Sequence, residues 1–295
     1  MSDVLRVYSW DDIVGGSFPT RQQLAAAGFE GTALTVGGFD GVHLGHQALL
    51  SAVLVQPRLL PGVVTFGISP KARLNPEGFS GAVCTMEQRL QLFREAGFAF
   101  VVVIDFSGDF GRMDGVVFLQ HLRDRLCMSY LSEGTDFRCG YKGSVNIDSL
   151  RAFCQDSGVR LDVVEPVIVE GVRVSSSEIR RSLKDGDFAR CRRLLGRNFS
   201  LGGCCFDWTW RRDALLGVRR RGACGCVQIE PPAECYRVCV HCGRQGTEGV
   251  VSLDGTAIVR EGVMEMIPAS PMDFSRDDLW VDSVEFMVDS RATTA

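Results

Sequence analysis

The chain has 295 residues, 45% of them apolar, enough to fill one large core or two ordinary ones. Its formal charge of −4 at pH 7 excludes a broad basic surface and disfavours bulk nucleic-acid binding. A few arginines in a cleft could still hold an anion without showing in that balance.

The start, MSDVLRVYSWDD, lacks the basic segment and long apolar run of a signal peptide. The strongest apolar run, FAFVVVI at 98–104, is too short to cross a bilayer and reads as a buried strand. A cytoplasmic protein with no membrane partner is expected. Twelve cysteines in such a chain read as small buried residues or metal ligands rather than disulfides.

From about Thr32 to Leu195, short apolar runs alternate with helical periodicity. TALTVGGF predicts a strand entering a turn, HQALLSAVL a helix and PGVVTF a second strand. TMEQRLQLFREAG predicts a helix opened by a capping box of Thr85 with Gln88 and stopped at Gly97. FAFVVVIDF is a third strand, GVVFLQHLRDRL a helix, and MSYLSEG a fourth strand leading into DFRCGYKG. NIDSLRAFCQDSG is a further helix, followed by the extended stretch RLDVVEPVIVEG. Such alternation predicts a Rossmann-like α/β domain over 1–198, its parallel sheet covered on both faces. Ligands of such sheets bind at the carboxyl ends of the strands, where strand order reverses.

After Gly196 the pieces are short, strand-like and separated by Gly, Pro and Asp: LGGCCFDWTWR, ALLGVR, GCVQIE, YRVCVHC, GVVSLDG, AIVREGVMEM and DLWVDSVEFMV. They predict a small antiparallel sheet or β-barrel-like domain over 199–295, with SRATTA as a frayed tail.

Two stretches carry chemistry. In VGGFDGVHLGHQ, two of the four histidines, His43 and His46, follow a glycine-dense turn. Gly37, Gly38 and Gly41 let the backbone approach a ligand. A helix beginning near Val42 puts both imidazoles on one face beside free amides suited to phosphate. Spacing alone leaves a solvated pair and two ligands of an unfinished metal site in competition with phosphate chemistry. In RVSSSEIRRSL, Ser175 with Glu178 predicts a capping box and a second such helix start. The hydroxyls of Ser176 and Ser177 lie there, and Arg173 and Arg180 supply cations. An ordinary capped surface helix is the competing reading.

Together, GGFDGVHLGHQALL and VSSSEIRRSL resemble the HxGH nucleotidylyltransferase superfamily, and more narrowly the prokaryotic FAD synthetase family, bifunctional riboflavin kinase/FMN adenylyltransferases. VVTFGISP, EGTDFRCGYKGS and GDFARCRRLLGRNFSLGG resemble further family segments in the right order. The resemblance implies transfer of AMP from ATP to FMN, giving FAD and pyrophosphate, with magnesium bridging phosphate oxygens. It implies that His43 and His46 stabilise charge on the α-phosphate, with Arg180 as a further catalytic group. Gly37, Phe39, Asp40 and Gly41 shape the nucleotide turn, Arg173 is a cleft arginine, and Ser176, Ser177 and Arg180 hold the β- and γ-phosphates. Phe66, Pro70, Asp136 and Phe137 match positions lining the FMN pocket, although Thr65 and Phe66 could equally be strand-end packing. The sequence departs from the family at Gly67, Ile68 and Ser69, where an acidic residue, a proline and a His or Asn are usual, and Cys139 replaces an aromatic. Those departures open the alternatives of another phosphomonoester acceptor, or of a non-catalytic flavin- or nucleotide-binding protein.

The family's kinase barrel carries a G-x-P-T-A-N segment that does not occur after Gly196. A kinase-dead relic, or a structural partner of the α/β domain, is expected there. Cys224, Cys226, Cys239 and Cys242 could form a four-thiolate zinc site, but the C-x-C spacing disfavours it against small core residues. Arg211, Arg212, Arg219, Arg220 and Arg221 read as a solvated face.

Overall fold

The computed structural model describes residues 4–106, 110–211, 214–220, 228–244, 250–270 and 279–291. The chain forms two compact units, one of Met1–Gly78 with Arg89–Arg173, the other of Phe79–Gln88 with Val174–Ala295.

The first unit begins with β1 (Arg6–Ser9), α1 (Trp10–Val14), α2 (Arg21–Ala26), β2 (Gly31–Val36), α3 (Leu44–Leu54), β3 (Leu59–Phe66) and α4 (Pro70–Leu74). There follow α5 (Met86–Ala96), β4 (Phe100–Ile104), α6 (Gly115–Arg125), β5 (Met128–Gly134), α7 (Ile147–Ser157), β6 (Arg160–Val164), β7 (Ile168–Val169) and β8 (Val172–Arg173). The last two form a small antiparallel hairpin. Side-chain caps satisfy free amides at several helix starts. Thr85 and Gln88 make the expected reciprocal capping box, at 3.0 and 3.2 Å, and Gly97 leaves α5 with φ +94. Asp114 and Asn146 cap α6 and α7 through their carboxylate and amide oxygens.

The sheet runs β1-β4-β3-β2-β5-β6, every neighbouring pair parallel. All of β2 is buried, as a central strand with both faces covered must be. Successive side chains feed opposite cores. Ala33 joins Phe39, Leu50, Val53, Val63, Phe93 and Tyr130, whereas Leu34 joins Trp10, Val64, Phe100, Leu119 and Leu131. Strand order reverses between β2 and β5, so the crevice of this unit opens at their carboxyl ends. The Rossmann-like α/β expectation is met, and the sheet gains an edge strand, β1, that the sequence reading did not include.

The second unit contains α8 (Ser176–Lys184), α9 (Phe188–Leu195), β9 (Phe199–Gly202), β10 (Phe206–Arg211), β11 (Ala214–Arg219), β12 (Cys235–Arg244), β13 (Val250–Arg260), β14 (Val263–Pro268) and β15 (Leu279–Arg291). Its strands form a curled antiparallel half-barrel in the order β10-β11-β14-β13-β12-β15-β9. Phe188 of α9 stacks on Phe286 at 4.9 Å and meets Tyr236 edge-on at 5.3 Å, filling the concave face. Two details correct the sequence reading. GVVSLDG and AIVR are one continuous strand, because Gly255 lets the neighbouring backbone come close: a Cβ there would lie 2.4 Å from the Ile267 oxygen. Of GCVQIE only 228–230 are described, and Gln228 makes an isolated bridge to Ala82 instead of a strand. Among the described residues no helix is long and apolar enough to cross a membrane.

Candidate active site

The turn after β2 is built from an unusual run of backbone. Phe39, Gly41 and Val42 all have positive φ, at 44°, 88° and 40°. For a β-branched residue such as Val42 this is a costly conformation that surrounding structure must impose. Phe39 and Val42 are both buried in the core beneath α3, and Gln47 donates from Nε2 to the Val42 oxygen at 3.0 Å. Of the three glycines, only Gly41 needs its conformational freedom. A Cβ on Gly37 would press on the Phe39 ring at 3.1 Å, whereas Gly38 faces open space. Asp40 is buried.

The helix begins at Leu44, two residues later than the sequence suggested, and His43 is its N-cap. Nδ1 of His43 accepts the His46 backbone N–H at 3.2 Å. A neutral ring bonded in this way carries its proton on Nε2, which makes that atom a donor. The two imidazoles stack at 3.5 Å and 14°, and His46 meets the Phe39 ring edge-on at 5.2 Å. His43 is only 5% exposed, so the pair is not a solvated decoration. Among the described residues no group of three or more His, Cys, Asp or Glu side chains is placed to hold a metal.

Two buried charged residues that sequence reasoning missed grip this turn. Glu133, on β5, accepts the Val36 N–H at 2.7 Å. Burial pushes its carboxyl well above the usual range, and that bond only partly opposes the shift. Arg89, on α5, donates from Nη1 to the Gly38 and Phe66 oxygens, both at 2.9 Å, and to Thr65 Oγ1 at 3.1 Å. Its Nη2 donates to the Gly67 oxygen at 3.1 Å.

On the opposite face of the sheet, Phe66 and Phe137 pack against one core cluster. Phe106 and Phe110, also unforeseen, stand 5.8 and 6.4 Å from Phe66 and extend an aromatic group at the carboxyl edge. Pro70 is the first residue of α4, and Ser69 precedes it without a side-chain cap bond. Gly67 N–H donates to the Ile104 oxygen at 2.9 Å, so the turn whose side chains depart from the family is anchored through its backbone. Arg173 and Asp136, assigned from sequence to different substrates, form an ion pair at 2.6 Å.

In the second unit, Ser175 caps α8 by accepting the Glu178 N–H at 3.2 Å, and Ser176 and Ser177 are the helix's first two residues. The capping box is only half formed, because the Glu178 carboxylate turns to Arg181 and Arg190. Arg180 donates from Nε to the Gly81 oxygen at 2.7 Å and lies 4.9 Å over the Phe79 ring. Of the four cysteines weighed as a thiolate site and disfavoured by their spacing, Cys224 and Cys226 lie outside the described residues. Cys242 is fully buried, and burial pushes its thiol up to about 11. Arg219 is only partly exposed: it pairs with Glu230 and donates to the Gln228 oxygen at 2.8 Å. Arg220 pairs with Asp207 at 2.6 Å, while Arg212 and Arg221 lie outside the described residues.

The sheet order is that of a Rossmann-like α/β fold, with the histidine-capped turn at its switch point. More narrowly, the chain belongs to the FAD synthetase family, whose model matches residues 26–178. A bifunctional riboflavin kinase/FMN adenylyltransferase of Pseudomonas fluorescens is 32% identical over 183 residues, covering 59% of this chain and 57% of that protein. The Escherichia coli K12 protein of the same description is 29% identical over 184 residues, covering 61% of this chain and 59% of its own length. The Haemophilus influenzae protein, also so described, is 29% identical over 252 residues, covering 84% of this chain and 82% of its own length. The chain therefore spans less than two thirds of the first two relatives and most of the third. A Streptococcus pneumoniae structure described as a macrolide-efflux protein shares the fold, with a TM-score of 0.71 at 19% identity over 99% of this chain and 93% of that one.

Proposed function

We propose that the protein transfers AMP from ATP to FMN, giving FAD and pyrophosphate. The observation that carries this reading is the stacked His43–His46 pair at the start of α3, which follows β2 beside the switch point of the sheet. In adenylyl transfer an FMN phosphate oxygen attacks the α-phosphorus, and the bond from that phosphorus to the bridging oxygen of pyrophosphate breaks. Such chemistry asks for alignment and for donors where charge develops. His43 and His46 supply the donors, and the amides of the turn receive the α-phosphate. Magnesium enters with ATP as part of the substrate. Phe66, Phe106, Phe110 and Phe137 offer ring faces and edges to the isoalloxazine. To Ser176, Ser177 and Arg180 we assign the β- and γ-phosphates, on family resemblance. The absence of the kinase motif supports a protein that does not phosphorylate riboflavin.

Incubating the protein with ATP, magnesium and FMN should give FAD and pyrophosphate in equal amounts, while riboflavin with ATP gives no FMN. A second reading, a nucleotidylyltransferase with another phosphomonoester acceptor, is motivated by Gly67, Ile68 and Ser69. It wins if FMN is inert and another acceptor in a panel turns over. Binding of both nucleotides without turnover of any acceptor would leave a non-catalytic flavin- or nucleotide-binding protein.

A further inference from the structure

We propose that Arg89 is a positioning residue that sets the spacing between the nucleotide turn and the acceptor turn, an inference that rests on the adenylyl-transfer reading. Its guanidinium reaches two separate loops at once. Gly38 lies inside the turn that leads to His43, whereas Phe66 and Gly67 open the segment that leads to Pro70. Thr65 closes the arrangement: its hydroxyl accepts from Arg89 at 3.1 Å and donates to the same Gly38 oxygen at 3.4 Å. The four acceptors are three backbone oxygens and one hydroxyl, so the hold does not depend on the side chains at which the acceptor turn departs from its family.

Arg89 is itself fixed. It is 5% exposed and sits one turn of α5 before Phe93, which is fully buried in the core beneath the nucleotide turn. A planar fork with donors in two directions can span both loops; a lysine ammonium on the same helix is a point donor and cannot keep all four acceptors. In-line transfer requires the acceptor phosphate and the α-phosphorus to meet at one distance and angle, and each substrate is held by its own turn. A displacement of about 1 Å between the turns would lower the rate about 100-fold while leaving each substrate's own contacts in place. Arg89 therefore belongs to kcat and not to either KM.

The test compares wild type, Arg89→Lys and Arg89→Gln in FAD formation from FMN and ATP with magnesium. Peptide-level hydrogen exchange of segments 37–41 and 66–69 is measured on the same unliganded proteins. For folded Arg89→Lys we expect kcat to fall about 10- to 100-fold, both KM values to stay within about threefold, and exchange to rise in both turns. A merely structural arginine would lower the melting temperature with kcat per folded molecule unchanged. The proposal is overturned by a kcat within about twofold of wild type, or by exchange that rises in one turn only or in neither. Arg89→Gln serves the same comparison if the lysine variant does not fold; failure of both to fold would make Arg89 a determinant of the fold and also overturn the proposal. A wild type that makes no FAD condemns the functional reading instead, and the exchange arm still decides whether Arg89 couples the turns.

Discussion

Nδ1 of His43 accepts the backbone N–H of His46 at 3.2 Å, and the two rings lie stacked 3.5 Å apart. One side chain thus ends the turn, caps the helix and fixes its own tautomer. The second histidine is placed by the first: its amide is the capped group and its ring lies against the capping ring. On the adenylyl-transfer reading, the same geometry answers a folding need and a chemical one.

That double duty can be separated by substitution. Asparagine is as good an N-cap as any residue but has no imidazole N–H at the same reach. His43→Asn should melt near wild type and lose about 100- to 1,000-fold in kcat. His43→Ala should show the same loss of activity and, in addition, a destabilisation of about 1 kcal/mol. His46→Ala should abolish FAD formation while FMN binding, followed by flavin fluorescence, persists. Equal melting temperatures for the two His43 variants would refute the capping role.

Glu133 makes stability depend on pH. Its carboxyl is raised well above the ordinary 4.5 by burial, so the folded protein keeps a proton there that the unfolded chain gives up. The folded state binds more protons at this group, and its contribution to stability therefore falls as pH rises above about 4.5 towards the folded value. Glu133→Gln retains an oxygen for the Val36 N–H without the titrating proton. The variant should melt higher than wild type at pH 7, and the gain should shrink as pH falls towards 4.5 and stay constant below it. Chemical or thermal melts at several pH values read this directly, and a gain independent of pH would count against the assignment.

What the sequence revealed and what it hid divide along chain separation. Helices α3, α5, α6 and α7 are announced by local pattern, by caps such as Thr85 with Gln88 and by stops such as Gly97, whereas the five-residue α4 is not. The histidine pair is local too, three residues apart. Arg89 and Glu133 act across 51 and 97 residues, on Gly38 and Val36, and nothing in MEQRLQLFREA or MSYLSEG marks them as buried. A charged residue in a helical pattern reads as solvent-facing unless its position relative to Phe93 is counted. The first elements were missed because β1, α1 and α2 have only four, five and six residues, too short for a periodicity window. Their capping boxes, Ser9 with Asp12 and Thr20 with Gln23, were nonetheless present in the sequence.

The Asp136–Arg173 pair carries little of the fold. Both side chains are more than half exposed, and such pairs contribute about 0–1 kcal/mol. Asp136→Asn should therefore leave the melting temperature almost unchanged. If Asp136 meets the flavin as assigned, KM for FMN should rise about three- to tenfold, the worth of one hydrogen bond. Arg173, released from its partner, should leave KM for ATP no higher than in wild type. A rise in KM for ATP alone would move Asp136 from the acceptor to the nucleotide.

The cysteines give a chemical test of the buried core. Burial pushes the thiols of Cys139 and Cys191 up to about 12, and those of Cys154 and Cys242 up to about 11. The thiolate is the reacting species, so at pH 8 only about one molecule in a thousand or fewer is reactive at each of these sites, before access is counted. Iodoacetamide applied to the folded protein at pH 8 should leave these four unmodified, while the partly exposed Cys204 and Cys235 label over time. Denaturation in urea should bring all six to similar rates. Cys242 separates two explanations of its protection. A thiol protected by burial alone stays unreactive with or without a chelator, whereas a zinc-bound thiolate becomes reactive when EDTA strips the metal. Fast labelling of Cys242 only after EDTA would favour the four-thiolate site over a small core residue.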